Sequence, residues 1–317
     1  MKAWLTPLLI ATSLCAQPKV RLPDESAGVD GIVRTLMSVY DQVDIIALGE
    51  AHDRKLDSDL RIALVRHPDF AKKVRSIVVE FGSTSEQATL DRYIRGENVS
   101  RAQLERVWTT TQLGAGGSPI YADFFAAVRD VNAKLPADAR VRVFGAEPAP
   151  GNSRETAAVA FLKQQVLQKH GKALVIYGAA HFYRNAPKDY LENMGADIGI
   201  VRMLEADYPG RTFAVIPVGG LPDPELPGVA KGIDADYRKF DGALKTQVRP
   251  VLVSLQRSPF RDFSAEEFMS RTVFNCRGAG GCVSIFKGST LTLGQMADAC
   301  LYADAAAGVS VKAKAGR

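Results

Sequence analysis

Histidine and cysteine each occur only four times in these 317 residues, so any of them that stands in a patterned context carries weight. There is no run of five basic residues and no basic stretch interleaved with aromatics, which excludes the usual nucleic-acid footprint. The formal net charge of +5 is spread along the chain and is assigned to solubility. No Gly-x-Ser-x-Gly elbow is present, so a serine hydrolase of that kind is excluded. The loop Gly114–Gly117 lacks the Lys-Ser/Thr of a phosphate-binding loop and follows no strand-like run. With 46% hydrophobic and 24% charged residues, wholesale disorder is excluded as well. The length suits one large domain, or a core with an appendage.

Against that background, half of the histidines fall in two similar motifs. One apolar run, Val43 to Leu48, closes in Gly49-Glu50-Ala51-His52; a second, Ala173 to Tyr177, closes in Gly178-Ala179-Ala180-His181. A β-branched, apolar run ended by glycine is the pattern of a buried strand entering a tight turn. Two further runs end in carboxylates, Ile77-Val78-Val79-Glu80 and Val143-Phe144-Gly145-Ala146-Glu147. In an open α/β sheet, ligands bind just beyond the carboxyl ends of the strands. If the four runs are parallel neighbours, one rim carries Glu50, His52, Glu80, Glu147 and His181. A single strand-end His or Glu is more often a cap or a surface residue; four such ends in this order favour a site. His67, before Pro68, and His170, before Gly171, have structural contexts at helix ends.

Between these runs lie helical patterns at Asp57–Arg66, Ser85–Arg95, Ser100–Thr109, Pro119–Lys134 and Ser153–His170, with a strand at Thr212–Pro217. Ser100 and Gln103 have the spacing of a capping box. The alternation predicts an α/β fold, a mostly parallel sheet with helices on both faces over residues 31–220. A smaller C-terminal α/β appendage is expected over 221–304, containing a strand at Val248–Leu255 and a last helix at Leu293–Tyr302. Residues 305–317 form a disordered tail in this reading. Residues 1–16 have the shape of a signal peptide, with Lys2 ahead of an apolar stretch too short to span a bilayer. Export to the periplasm or the extracellular space is therefore expected, with no transmembrane span in the mature chain. In an oxidising compartment the glycine-rich loop between Cys276 and Cys282 can close a small disulfide, leaving Cys300 free and buried. A zinc site made from the three thiolates is the competing reading, and it lacks a nearby histidine.

Two imidazoles and up to three carboxylates suit acid–base chemistry or a divalent metal. The expected activity is hydrolysis by an activated water, with Glu80 or His52 taking the proton. Glu50, His52, Glu80 and His181 are the catalytic candidates, and the substrate is a small molecule or a peptide. A metal, if held, would use His52, His181 and Glu80; Zn, Mn and Co all suit such donors. Glu147 and Tyr183, two residues beyond His181, are further candidates.

At these residues, about 40 to 220, the chain resembles the erythromycin esterase/ChaN-like superfamily and its relatives in the Tiki and TraB families. The resemblance is carried by Gly49–His52, Gly178–His181 and the intervening Glu80; the stretch Leu48-Gly49-Glu50-Ala51-His52-Asp53 is the most similar. It implies the α/β fold and one of three activities. Tiki-like members are metal-dependent peptidases, erythromycin esterases hydrolyse a lactone with a histidine-activated water, and ChaN-like lipoproteins bind haem for iron uptake. The chain departs from the last in the context of Cys15, where Leu14 replaces the small residue that lipid attachment prefers. Haem or porphyrin binding is nevertheless the alternative function, with Tyr183 and His181 at the ligand and Tyr121, Phe124, Phe125 and Phe182 flanking it. For Tyr121–Phe125 the competing reading is ordinary core packing.

Overall fold

The structure, a computed structural model, describes residues 20–303 except 53, 113–118, 150, 189–198, 219–234, 270–273, 277–281 and 285; for 274–276 and 282–284 it describes the backbone alone. The expected signal peptide and tail, and the side chains of the expected disulfide, lie outside what is described.

Ten strands are described: β1 Glu25–Ala27, β2 Ile45–Glu50, β3 Ser76–Ser83, β4 Arg142–Glu147, β5 Ala173–Gly178, β6 Thr212–Val218, β7 Val251–Ser254, β8 Phe274–Cys276, β9 Cys282–Ser284 and β10 Ala299–Tyr302. Eight of them form one sheet in the order β1-β7-β10-β6-β2-β5-β3-β4. Only β7 runs against the others. The C-terminal segment thus contributes β7 and β10 to the main sheet, while β8 and β9 pair antiparallel with Cys276 opposite Cys282.

Helices α1 Gly28–Val39, α2 Lys55–Arg66, α3 Phe70–Lys73, α4 Gln87–Ile94, α5 Arg101–Thr109, α6 Pro119–Asn132 and α7 Arg154–Gln165 connect the first strands. The sheet is covered on both faces because its strands alternate. Ile46 and Leu48 of β2 pack with Leu60, Leu64 and Trp108 on one side. Ile45 and Ala47 pack with Leu162, Ile200 and Leu204 on the other. The connections after β2 and β3 therefore leave toward one face, and those after β4 and β5 toward the opposite face. The strand ends between these two sets of connections are where a sheet whose connections change sides generally binds its ligands.

The free edge of β4 is closed by side chains. Asn132 accepts from Val141 N and donates to Val141 O, both at 2.8 Å. Gln87 accepts from Gly145 N and donates to Val143 O, both at 2.9 Å. Two amides thus stand in for a ninth strand and remove a template for edge pairing. Asn132→Ala leaves the buried Val141 groups unpaired and is expected to cost about 1–3 kcal/mol in urea unfolding; a midpoint equal to wild type would contradict this role.

Three expectations need correction. The last helix ends at Met296, and Ala299–Tyr302 is a strand. Leu293 and Met296 have helical spacing, but four apolar residues buried on both sides carry no period to separate helix from strand. Cys300, free and buried as expected, therefore sits in the sheet rather than on a helix, and burial pushes its thiol pKa up. The helix expected at Ser153–His170 stops at Gln165, followed by a 3₁₀ turn, Leu167–Lys169, with His170 left-handed at φ 52°. Helix α1 and the edge strand β1 were not anticipated at all.

Candidate active site

The two Gly-x-x-His motifs end adjacent strands, and the ladder places Glu50 opposite Gly178. Their glycines do different work. A Cβ on Gly49 would stand 2.9 Å from both Val215 O and Pro217 Cδ, so this position must be bare for β2 to lie against β6. A Cβ on Gly178 would meet no backbone but would stand 3.3 Å from His52 Nε2 and 3.5 Å from Glu80 Oε2. Gly178 is where the two halves of the site come together.

The first half is built on β2 and α2. His52 Nδ1 lies 3.0 Å from Glu50 Oε1. The other oxygen of Glu50 accepts from Arg61 Nη1, and this ion pair is buried, with side chains 1% and 3% exposed. The Arg61 guanidinium stacks on an aromatic bed, 4.7 Å from the Phe81 centroid, 5.3 Å from Tyr121 and 5.4 Å from Phe124. Asp57 fixes the intervening turn by accepting from Ala51 N at 2.8 Å and from Arg54 Nη2 at 2.5 Å. His52 itself is 40% exposed and turns Nε2 toward Gly178 and Glu80.

The second half is built on β3, β4, β5 and the first turn of α7. Glu80 Oε1 accepts from Arg154 Nη1 at 2.9 Å and lies 3.2 Å from His181 Nε2; its Oε2 accepts from Gly178 N at 2.7 Å. His181 Nδ1 lies 2.7 Å from Glu155 Oε1. Glu147 Oε1 takes Arg154 Nε at 2.9 Å and Gln112 N at 3.2 Å, while its buried Oε2 has no partner. His52, Glu50, Glu80, His181 and, through Arg154, Glu147 are thus brought to one rim.

The electrostatics separate the roles of the two histidines. Burial lowers the His181 pKa, but hydrogen bonds and charge from Glu155 and Glu80 more than reverse this, raising it from 6.5 to about 9. At neutral pH it is an imidazolium with both N–H groups donated to carboxylates. Burial would raise the Glu80 pKa, yet the hydrogen bond and charge of His181 and the Gly178 N–H bring it below the usual carboxylate value. Glu80 is therefore a poor proton acceptor. Burial also lowers His52, and Glu50 followed by Glu80 outweighs it, so its pKa is raised. Glu147 moves the other way: burial raises its pKa despite Arg154.

The His181 shift predicts a pH-dependent stability. A pKa raised on folding gives stabilisation that is complete below the unfolded value and disappears as pH rises through the folded one. Between pH 6.5 and about 9 the protein is expected to lose up to about 3 kcal/mol of unfolding free energy. His181→Gln should flatten that slope. Equal slopes for the two proteins in urea titrations at pH 6, 7.5 and 9 would contradict the ion-pair assignment.

The donors do not suit a metal. Both His181 nitrogens face carboxylates, and each Glu80 oxygen already accepts from a cation or an amide. Among the described residues no group of three or more His, Cys, Asp or Glu is placed to hold a metal ion. Nor does the structure bring Tyr183 to the rim. It is buried, and its hydroxyl contacts Met269 Sδ at 3.3 Å, so neither it nor His181 presents an open donor to a haem iron. Tyr121, Phe124 and Phe125 pack with Phe81 and Trp108 in the core.

Arg61, Arg154 and Glu155 escaped the sequence reading. A signal existed for two of them. Arg61 lies on the inward face of α2 beside Asp57, Leu60 and Leu64, where a cation is unexpected. Arg154 begins α7, the helix end that disfavours positive charge.

No protein-family model and no curated protein sequence matches the chain. Solved structures do. A Bacillus cereus protein aligns with a TM-score of 0.54 at 12% identity over 87% of this chain and 92% of its own. An erythromycin esterase mutant in its open conformation aligns with a TM-score of 0.51 at 10% identity over 87% and 93%. The haem-binding ChaN of Campylobacter jejuni aligns with a TM-score of 0.37 at 14% identity over 61% and 87%. At these identities the likeness shows the fold alone: the chain shares its α/β fold with the Bacillus cereus protein and the erythromycin esterase mutant.

Proposed function

We propose that the chain is a hydrolase of esters or lactones, in which His52 is the general base for an attacking water. The observation that carries this reading is the series Arg61–Glu50–His52, which anchors Nδ1 and turns Nε2 toward Gly178 and Glu80 at the rim. With Nδ1–H donating to Glu50, the Nε2 lone pair takes a proton from water as its oxygen attacks the acyl carbon. Glu50 stabilises the imidazolium that forms, and Nε2–H then returns the proton to the departing alkoxide. Negative charge on the tetrahedral intermediate falls in the field of the His181 imidazolium, which Glu80 and Glu155 hold in place before reaction begins. Glu80 sets the orientation of His181 rather than moving a proton. Amide hydrolysis, which needs a stronger push on the leaving group, is the less favoured substrate class. We place the activity outside the cytoplasm, on the leader pattern of residues 1–16.

The test is a panel of p-nitrophenyl esters, macrolactones and peptides, with and without chelator, beside a hemin titration of the same protein. Ester or lactone turnover that persists in chelator supports the reading. Turnover of none of them, with a Soret shift at micromolar hemin, replaces it with the haem-binding one.

A further inference from the structure

Among the described residues, Arg154 is the one cation that touches both Glu80 on β3 and Glu147 at the end of β4, each at 2.9 Å. The backbone does not by itself fix how these two groups face each other. Register between β3 and β4 is regular from Ser76↔Arg142 to Val79↔Gly145 and then shifts before Ser83↔Glu147. The irregularity follows from a close approach: a Cβ on Gly82 would stand 2.7 Å from Gly145 Cα, and one on Gly145 2.6 Å from Gly82 O. Glu80 therefore lies just past the last regular pair, where ladder geometry no longer dictates side-chain direction.

The residue that bridges this break sits at an unfavourable place. A guanidinium at the first position of α7 opposes the helix dipole, whereas Glu155 at the next position complements it. Both side chains turn to the site, Arg154 to Glu80 and Glu147, Glu155 to His181. Lysine could not replace the arginine, since one ammonium lacks the fork that reaches two carboxylates in fixed directions.

We infer that Arg154 is a positioning residue of this site: it straps the irregular ends of β3 and β4 together and holds Glu80 in the orientation that fixes His181. The inference rests on the hydrolytic reading only for its kinetic consequence. It predicts that Arg154→Ala lowers kcat for p-nitrophenyl acetate by about 100-fold, the size expected from a displacement of around 1 Å, with KM little changed. Arg154→Lys recovers little, and ethylguanidinium added to Arg154→Ala restores activity at least severalfold.

The deciding readout needs no turnover. With four histidines in the chain, selective ¹⁵N labelling resolves each imidazole, and the His181 Nε2–H signal reports its hydrogen bond to Glu80. That signal should move in Arg154→Ala and in the milder Arg154→Gln, and should return toward wild type with ethylguanidinium. A signal unmoved in both variants overturns the inference, even if the variants are less stable. If the signal moves and is rescued while the wild-type protein hydrolyses no ester, the positioning role stands and the hydrolytic reading falls.

Discussion

Replacing His52 by alanine is expected to reduce kcat/KM for the best ester or lactone by about 10²–10⁴-fold, the range of general-base catalysis. Thermal stability should stay close to wild type, because the side chain is 40% exposed and its loss opens no core cavity. The separation of activity from stability is what distinguishes a base from a packing residue. Glu50→Gln should also lose activity, since an amide keeps the contact to Nδ1 but no longer stabilises the imidazolium. His52→Ala turnover within threefold of wild type, measured with saturating substrate, would remove the base from the proposal.

The largest effect on stability is expected from Arg61→Ala. Arg61 and Glu50 are almost wholly buried and paired to one another, and removing one partner of a buried ion pair typically costs about 3–5 kcal/mol because the other charge is stranded. The guanidinium also fills the space over Phe81, Tyr121 and Phe124, so truncation removes packing as well as charge. Arg61→Met combined with Glu50→Gln should recover a large part of the loss, since neither charge is then left unpaired, and yet remain inactive. Chemical denaturation of the single and double variants measures the coupling. Additive losses would show that the pair is not a unit.

Those two residues also mark where sequence reading succeeded and failed. Glu50, His52, Glu147 and His181 were legible because their strands end at or just before them. Glu80 reads as a strand end as well, but β3 continues to Ser83 and only its regular pairing breaks there. The parallel order of the strands followed from the helices between them. Arg61, Arg154 and Glu155 come from helices instead, and a helical position reveals its direction only against the sheet it covers. The metal expectation had the same origin. Imidazoles and carboxylates at one rim suit a cation until the two arginines that already occupy Glu50, Glu80 and Glu147 are in place. Further along, β10 was hidden because Ala-Cys-Leu-Tyr, buried on both faces, has neither the period of two nor that of 3.6.

The central claim is that water is activated by the Glu50–His52 pair and not by a metal. Its most direct measurement is ester and lactone hydrolysis by protein dialysed against chelator and verified metal-free by elemental analysis, with His52→Ala alongside. Undiminished turnover in the metal-free protein, lost in the variant, is the predicted result. Turnover that vanishes with the metal and returns on adding Zn, Mn or Co would contradict it.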